Sequence, residues 1–172
     1  MKRLLICRHA KSSWSNRTLA DKDRPLNKRG KHDAPMMGRR LHAQGIRADA
    51  VITSPAKRAR KTARGIAREI AFPVDRIRVE EVLYGGSSSH LVEMLRMLEN
   101  SVETVLIFGH NPDFTMLANL LGGLTIDNVP TCGIVALDFG FSAWKELAPG
   151  TGTLAFYDFP KNVTNTIDRG ST

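Results

Sequence analysis

Residues 3–10 read Arg3-Leu4-Leu5-Ile6-Cys7-Arg8-His9-Ala10. A short, continuous apolar run of this kind suits a strand covered on both faces, as in a parallel sheet. It ends abruptly on a permanent cation and an imidazole. The same construction returns twice: Asp49 to Thr53 (D-A-V-I-T) runs into Ser54-Pro55-Ala56-Lys57-Arg58, and Thr104 to Phe108 (T-V-L-I-F) runs into Gly109-His110-Asn111-Pro112. In an open parallel sheet, ligands bind beyond the carboxyl ends of the strands. If the three strands are neighbours, Arg8, His9, Arg58 and His110 meet in one cleft.

Between the strands the apolar period changes to that of helices. Ser54-Pro55 predicts an N-cap followed by proline at the first helical position. Behind it Ala59, Ala63, Ile66 and Ile70 form the inner stripe. Asn111-Pro112 repeats the device, with Phe114, Leu117 and Leu121 inside and Gly122-Gly123 as the stop. Ser88 or Ser89 is expected to cap a further helix that buries Leu91, Met94, Leu95 and Leu98. From Asn27 to Gln44, Ala34, Met37 and Leu41 share a face, and Pro35 must kink that helix or sit in its first turn. Gly133 to Phe139 and Thr153 to Phe159 read as a late antiparallel strand pair, and residues 161–172 as a polar, frayed tail. The expected fold is α/β: a single domain over residues 1–160, with a mostly parallel central sheet flanked by helices.

Composition narrows the function. The 172 residues are 42% hydrophobic and 24% charged, with 22 Pro plus Gly, so one globular domain is expected rather than a disordered chain or a fibre. No apolar run approaches the roughly 20 residues of a spanning helix. Lys2-Arg3 is followed by only four apolar residues before Arg8, too few for a signal-peptide core. Cys7 and Cys132 make neither a disulfide framework nor a metal-ligand spacing, which points to a reducing cytoplasm. Charge is uneven. Residues 1–74 carry 19 basic and 5 acidic side chains (+14), and residues 75–172 carry 6 and 12 (−6). Such a field steers an anionic partner.

Two arginines, two histidines and two helix starts describe a phosphoryl site. A neutral imidazole is nucleophilic near pH 7 and can take a phosphoryl group and release it to water. Arginine matches phosphate oxygens bidentately, and a second, protonated histidine stabilises charge on the equatorial oxygens. No Walker lysine loop, G-x-S-x-G or H-E-x-x-H occurs. A metal held by His9 and His110 has no third ligand at a recognisable spacing, so neither metal nor cofactor is expected.

Four motifs in order resemble the histidine phosphatase superfamily: Arg8-His9-Ala10, Asp23-Arg24-Pro25-Leu26 with Arg29-Gly30, Ser54-Pro55 with Arg58-Ala59 and Thr62-Ala63, and Gly109-His110-Asn111-Pro112. The nearest branch is similar to the SixA-type phosphohistidine phosphatases, over residues 1–160. The resemblance implies a phosphoglycerate mutase-like fold. It makes His9 the phosphoryl carrier and Arg8, Arg58 and His110 the phosphate pocket. Ala10 replaces the usual glycine. Larger members carry an acid in an insertion for which this chain has no room; Glu81, and less so Glu80, lies in the corresponding region. A phosphohistidine substrate fits that economy, because a protonated imidazole leaves readily, whereas an alkyl phosphate ester needs a positioned proton donor.

The expected substrate is therefore a phosphorylated protein of the histidine-containing phosphotransfer type, or else a small phosphate ester at the same site. A basic nucleic-acid module is the remaining class; no aromatics interleave with the basic stretch, which disfavours it. Lys57, Arg60 and Lys61 read as a solvated face, and His32, His42 and His90 as surface or packing residues. Asp23 and Arg24 are expected to orient the nucleophile loop as an ion pair, beside Lys11-Ser12-Ser13 and Trp14.

Overall fold

In a computed structural model, which describes residues 1–163, the three apolar runs become neighbouring strands. The described residues form one sheet of six: β1 (Lys2–Arg8), β2 (Ala50–Thr53), β3 (Arg78–Val79), β4 (Thr104–Gly109), β5 (Ile134–Phe139) and β6 (Gly152–Asp158), in the order β3-β2-β4-β1-β5-β6. β3, β2, β4 and β1 are parallel; β5 runs antiparallel to β1, and β6 antiparallel to β5. The register sets Thr53 opposite Phe108 and Cys7 opposite the same residue on the other side. All three junctions thus leave the sheet at one level.

Alternation along β1 sends Leu4 and Ile6 to one face and Leu5 and Cys7 to the other. The first face is covered by α3 (Ser88–Arg96) and α4 (Asp113–Gly122), through Leu91, Leu95, Phe114, Leu117 and Leu121. The second is covered by α1 (Lys28–Ala43) and α2 (Lys57–Glu69), through Met37, Leu41, Ala63 and Ile66. Helices on both faces explain why the strands read as continuous apolar runs. β3 escaped the sequence reading: it has two residues, both exposed.

Several starts and stops differ from expectation. Pro35 sits well inside α1, neither at its start nor ending it. It is accommodated at the crossing with α2, where Gly65 has no side chain; a β-carbon there would lie 3.1 Å from Ala34 Cβ. Ser87, one residue before the expected cap, accepts from His90 N and starts α3. α2 begins at Lys57, so Ser54-Pro55 precede the helix rather than capping it. α4 begins at Asp113, and Asn111 Oδ1 takes up Thr115 N in its first turn. Gly123, at φ 61°, ends α4 as expected. Most of the tail assigned to residues 161–172 lies outside the described residues. Among those described, no helix is long and apolar enough to cross a membrane.

Candidate active site

The nucleophile candidate is fixed by main chain. His9 N donates to Gly109 O at 3.0 Å, so the β1–β4 ladder continues one residue past the strand. Its ring Nδ1 lies 2.7 Å from Ala10 O. A carbonyl can only accept, so Nδ1 carries the proton and Nε2 keeps its lone pair. His9 is 8% exposed. Burial pushes its pKa down to about 4, opposed by the Ala10 hydrogen bond and helped by the smaller effects of the Arg58, Arg8 and Arg24 charges. At neutral pH the ring is uncharged and its Nε2 is free to attack.

The loop behind it is pinned to α1 and α2. Ala10 N donates to Thr62 Oγ1, which itself donates to Arg58 O at 2.7 Å. Lys11 O accepts from Asn27 N, and a β-carbon at Gly30 would lie 2.2 Å from that oxygen, so only glycine lets α1 start so close. Asn27 caps the helix by accepting from Gly30 N. These contacts give Asn27, Gly30 and Thr62 a positioning role.

The structure brings the other three expected pocket residues to His9. The His110 ring lies 5.1 Å from the His9 ring, and Arg8 and Arg58 depress the pKa of both imidazoles. Arg8 donates from Nη1 to Val129 O, while its Nε is buried without a hydrogen-bond partner. His110 Nε2 meets Ser54 Oγ at 2.8 Å, and its Nδ1 is likewise buried and unpartnered. Buried polar atoms are normally satisfied, so two orphan nitrogens in one pocket point to a ligand. The expected imidazolium at His110 is not the resting state: burial, then His9 and Arg58, push its pKa down to about 3. A phosphoryl dianion reverses the sign of that field and would favour the protonated ring. Nε2–H would then serve Ser54 and Nδ1–H the anion.

Sequence reasoning missed the far wall. Arg58, 6% exposed, donates from Nη1 to Asp21 O (2.7 Å) and from Nη2 to Asp21 Oδ2 (3.0 Å). Tyr84 donates its hydroxyl to the same carboxylate oxygen at 2.5 Å and sets its ring edge-on to His110 at 5.3 Å. With Tyr84, Arg58 and Arg24 all bonded to it, the Asp21 carboxyl is held well below the usual range. It is an anion, not a proton donor. Arg24 pairs with Asp21 (3.1 Å), not with Asp23 as expected; it also bonds Ser12 Oγ and lies 3.2 Å from the centre of the Trp14 ring. Asp21, in a single 3-10 turn, and Tyr84, just after another, belong to no motif of their own.

Glu81 stands apart from the four. Its side chain is 76% exposed and its carboxylate lies 3.3 Å from Lys22 Nζ; Glu80 pairs with Arg78. His32, His42 and His90 are exposed. Among the described residues no three His, Cys, Asp or Glu side chains are grouped to hold a metal ion. Cys7 and Cys132 are buried free thiols.

The sequence profile of the histidine phosphatase superfamily (branch 1) matches residues 4–87. An uncharacterized protein of Mycobacterium tuberculosis is 32% identical over 164 residues, spanning 90% of this chain and 99% of that one. The chain belongs to the histidine phosphatase superfamily. Its fold is that of a protein histidine phosphatase SixA solved with tungstate (TM-score 0.80, 24% identity, 92% of this chain and 97% of that one). A SixA structure from Nakamurella multipartitia matches similarly (TM-score 0.78, 23% identity, 93% and 96%). The four motifs of this chain meet in one pocket at the ends of β1, β2 and β4.

Proposed function

We propose that the protein hydrolyses phosphohistidine on a signalling or phosphotransfer protein, through a covalent phosphohistidine at His9. In the first step the His9 Nε2 lone pair attacks phosphorus while the phosphorus–nitrogen bond to the substrate imidazole breaks, and that imidazole leaves with its proton. In the second, water attacks phosphorus, the bond to Nε2 breaks, and inorganic phosphate departs. Arg8, Arg58 and His110 would hold the equatorial oxygens through both steps. The observation that carries this reading is the tautomer of His9: with Nδ1 spent on Ala10 O, the neutral ring offers Nε2 alone. The leaving group is chosen by the carboxylates. Asp21, the one bonded into the site, is an anion, which suits an imidazole that needs no strong acid. The structural likeness to a protein histidine phosphatase supports the same choice.

A second reading, hydrolysis of small phosphate esters, draws support from Glu81, which its pairing with Lys22 keeps near the Asp21 segment, where an ester oxygen could be protonated. Phosphate release from a panel of phosphohistidine proteins, aryl phosphates and alkyl phosphates separates the two. Wild type should favour phosphohistidine, without change in chelator, and trap an acid-labile, base-stable phosphoryl group. His9→Ala should abolish both turnover and adduct. Full turnover by His9→Ala ends the proposal.

A further inference from the structure

α2 violates two rules of helix electrostatics. Its first turn holds Lys57, Arg58 and Arg60 and no acid, against the helix dipole. Beyond that, Lys57, Lys61, Arg64 and Arg68 follow at spacings of four, three and four residues, which places them on one face. All four are exposed, and among the described residues none has an ion-pair partner. Glu69, the acid of this helix, is engaged by Arg39 of α1 instead. Like charges a turn apart repel, and nothing in the described chain offsets them. Arg58 is explained by the pocket; the outer stripe is not.

Its position supplies a reason. The stripe lies opposite the core-facing Ala59, Ala63 and Ile66, runs about 16 Å at 1.5 Å per residue, and starts one residue from Arg58. On the side of β3 the charges are mixed and paired, Arg78 with Glu80 and Lys22 with Glu81. On α2, by contrast, four exposed cations without an ion-pair partner among the described residues share one face. A macromolecule that delivers a phosphoryl group to His9 rests its surface around the pocket mouth, where this stripe begins.

We propose that Lys57, Lys61, Arg64 and Arg68 are the docking face for an acidic surface of the phosphorylated protein substrate, an inference that rests on the phosphohistidine reading above. The occupant is an acidic protein rather than nucleic acid, because α2 holds no aromatic side chain on which a base could stack, and exposed Trp14 is already covered by Arg24. A partner helix with carboxylates repeated each turn matches the stripe in spacing and sign. Such complementarity acts on encounter and affinity, not on the chemical step.

The test compares three double variants against two substrates, a phosphorylated histidine phosphotransfer domain of net negative charge and p-nitrophenyl phosphate. Lys61→Glu/Arg64→Glu should raise KM for the phosphoprotein roughly tenfold or more, with Lys61→Gln/Arg64→Gln in between and Lys61→Arg/Arg64→Lys unchanged. Its kcat, and both constants for p-nitrophenyl phosphate, should stay at wild-type values, which also shows that the variants fold. The wild-type kcat/KM for the phosphoprotein should fall with ionic strength, and the reversed variant should lose that dependence. Unchanged phosphoprotein KM in both charge-altering variants overturns the docking face and leaves the phosphohistidine reading standing. A stripe-dependent affinity for a single-stranded oligonucleotide, with phosphoprotein KM unchanged, assigns the face to nucleic acid and overturns it too. If wild type turns over p-nitrophenyl phosphate but not the phosphoprotein, the substrate reading itself fails and the docking face with it.

Discussion

At the ends of β1, β2 and β4, the site is held by main chain: His9 N donates to Gly109 O and Ser54 N to Phe108 O, so the ladder runs on into the pocket. Across the mouth, Asp21, Tyr84 and Glu81 are gathered by side chains, through Arg58, Arg24 and Lys22. Asp21–Asp23 and Glu81–Leu83 are single 3-10 turns without a side-chain cap. The first region has its geometry dictated by a sheet whose inner residues are fully buried; the second can be rebuilt by a few surface substitutions. Chemistry common to a superfamily belongs on the first kind of support, and substrate choice on the second.

The largest expected difference is between two arginines of the same helix. Asp21 engages both terminal nitrogens of Arg58 and so fixes its guanidinium; Arg58→Lys removes the fork proposed to hold phosphate and leaves a point charge. Loss of such a contact in the transition state costs roughly 2–4 kcal/mol, about 10² to 10³ in kcat. Arg64→Lys, exposed and without an ion pair, should change kcat little on any substrate. Asp21→Asn, which loosens Arg58 from the rim side without touching it, should fall between. Equal effects of Arg58→Lys and Arg64→Lys would reduce Arg58 to part of a basic face.

The same contrast decides what the sequence revealed. β1, β2 and β4 and the helix stripes of α2 and α4 were legible because burial on both sides imposes a period on the residues themselves. His9, Arg8, Arg58 and His110 were legible because each follows such a run at a fixed offset. Ser54 was read as a helix cap, and its bond to His110 could not be foreseen, since the contact spans residues 56 apart. Asp21 was invisible for a similar reason: its partners Arg58 and Tyr84 lie 37 and 63 residues away. Of the two places open to Pro35, the first turn is excluded and the helix interior is taken, at the crossing with α2 where Gly65 leaves room.

Acid sensitivity separates the two regions next. His9 is held at a pKa of about 4 in the fold, against about 6.5 unfolded. The unfolded chain therefore binds more protons between those values, and stability rises with pH across that window. The His9 contribution is fully present above pH 6.5 and lost as pH falls toward 4, at most about 3 kcal/mol. His110 acts in the same direction, and the two do not simply add because each lowers the other. The Asp21 carboxyl is shifted in the same direction but from a lower starting value, so its contribution is lost only below about pH 4. Denaturant unfolding at pH 7.0, 5.5 and 4.5 should show a steady loss in wild type and a shallower one in His9→Asn. A wild-type stability that is flat from 7.0 to 4.5 would mean that the pocket histidines are not held neutral.

The smallest effect is expected at the rim, and its size depends on the leaving group. Glu81 is exposed and paired with Lys22, outside the four pocket residues, so its loss removes no phosphate contact. An imidazole or a nitrophenolate departs without an acid; an alkoxide does not. Glu81→Gln should therefore lower turnover of phosphohistidine, or of an aryl phosphate, by less than about tenfold, while any alkyl-phosphate activity drops by about 10² or more. The ratio of the two losses is the informative quantity, because a general disturbance of the rim through Lys22 would lower both alike. Efficient alkyl-phosphate hydrolysis abolished by Glu81→Gln would move this carboxylate from the rim into the chemistry and make the protein an ester phosphatase. A uniform loss of less than tenfold on every substrate would leave the strand-end groups as the whole of the catalytic apparatus.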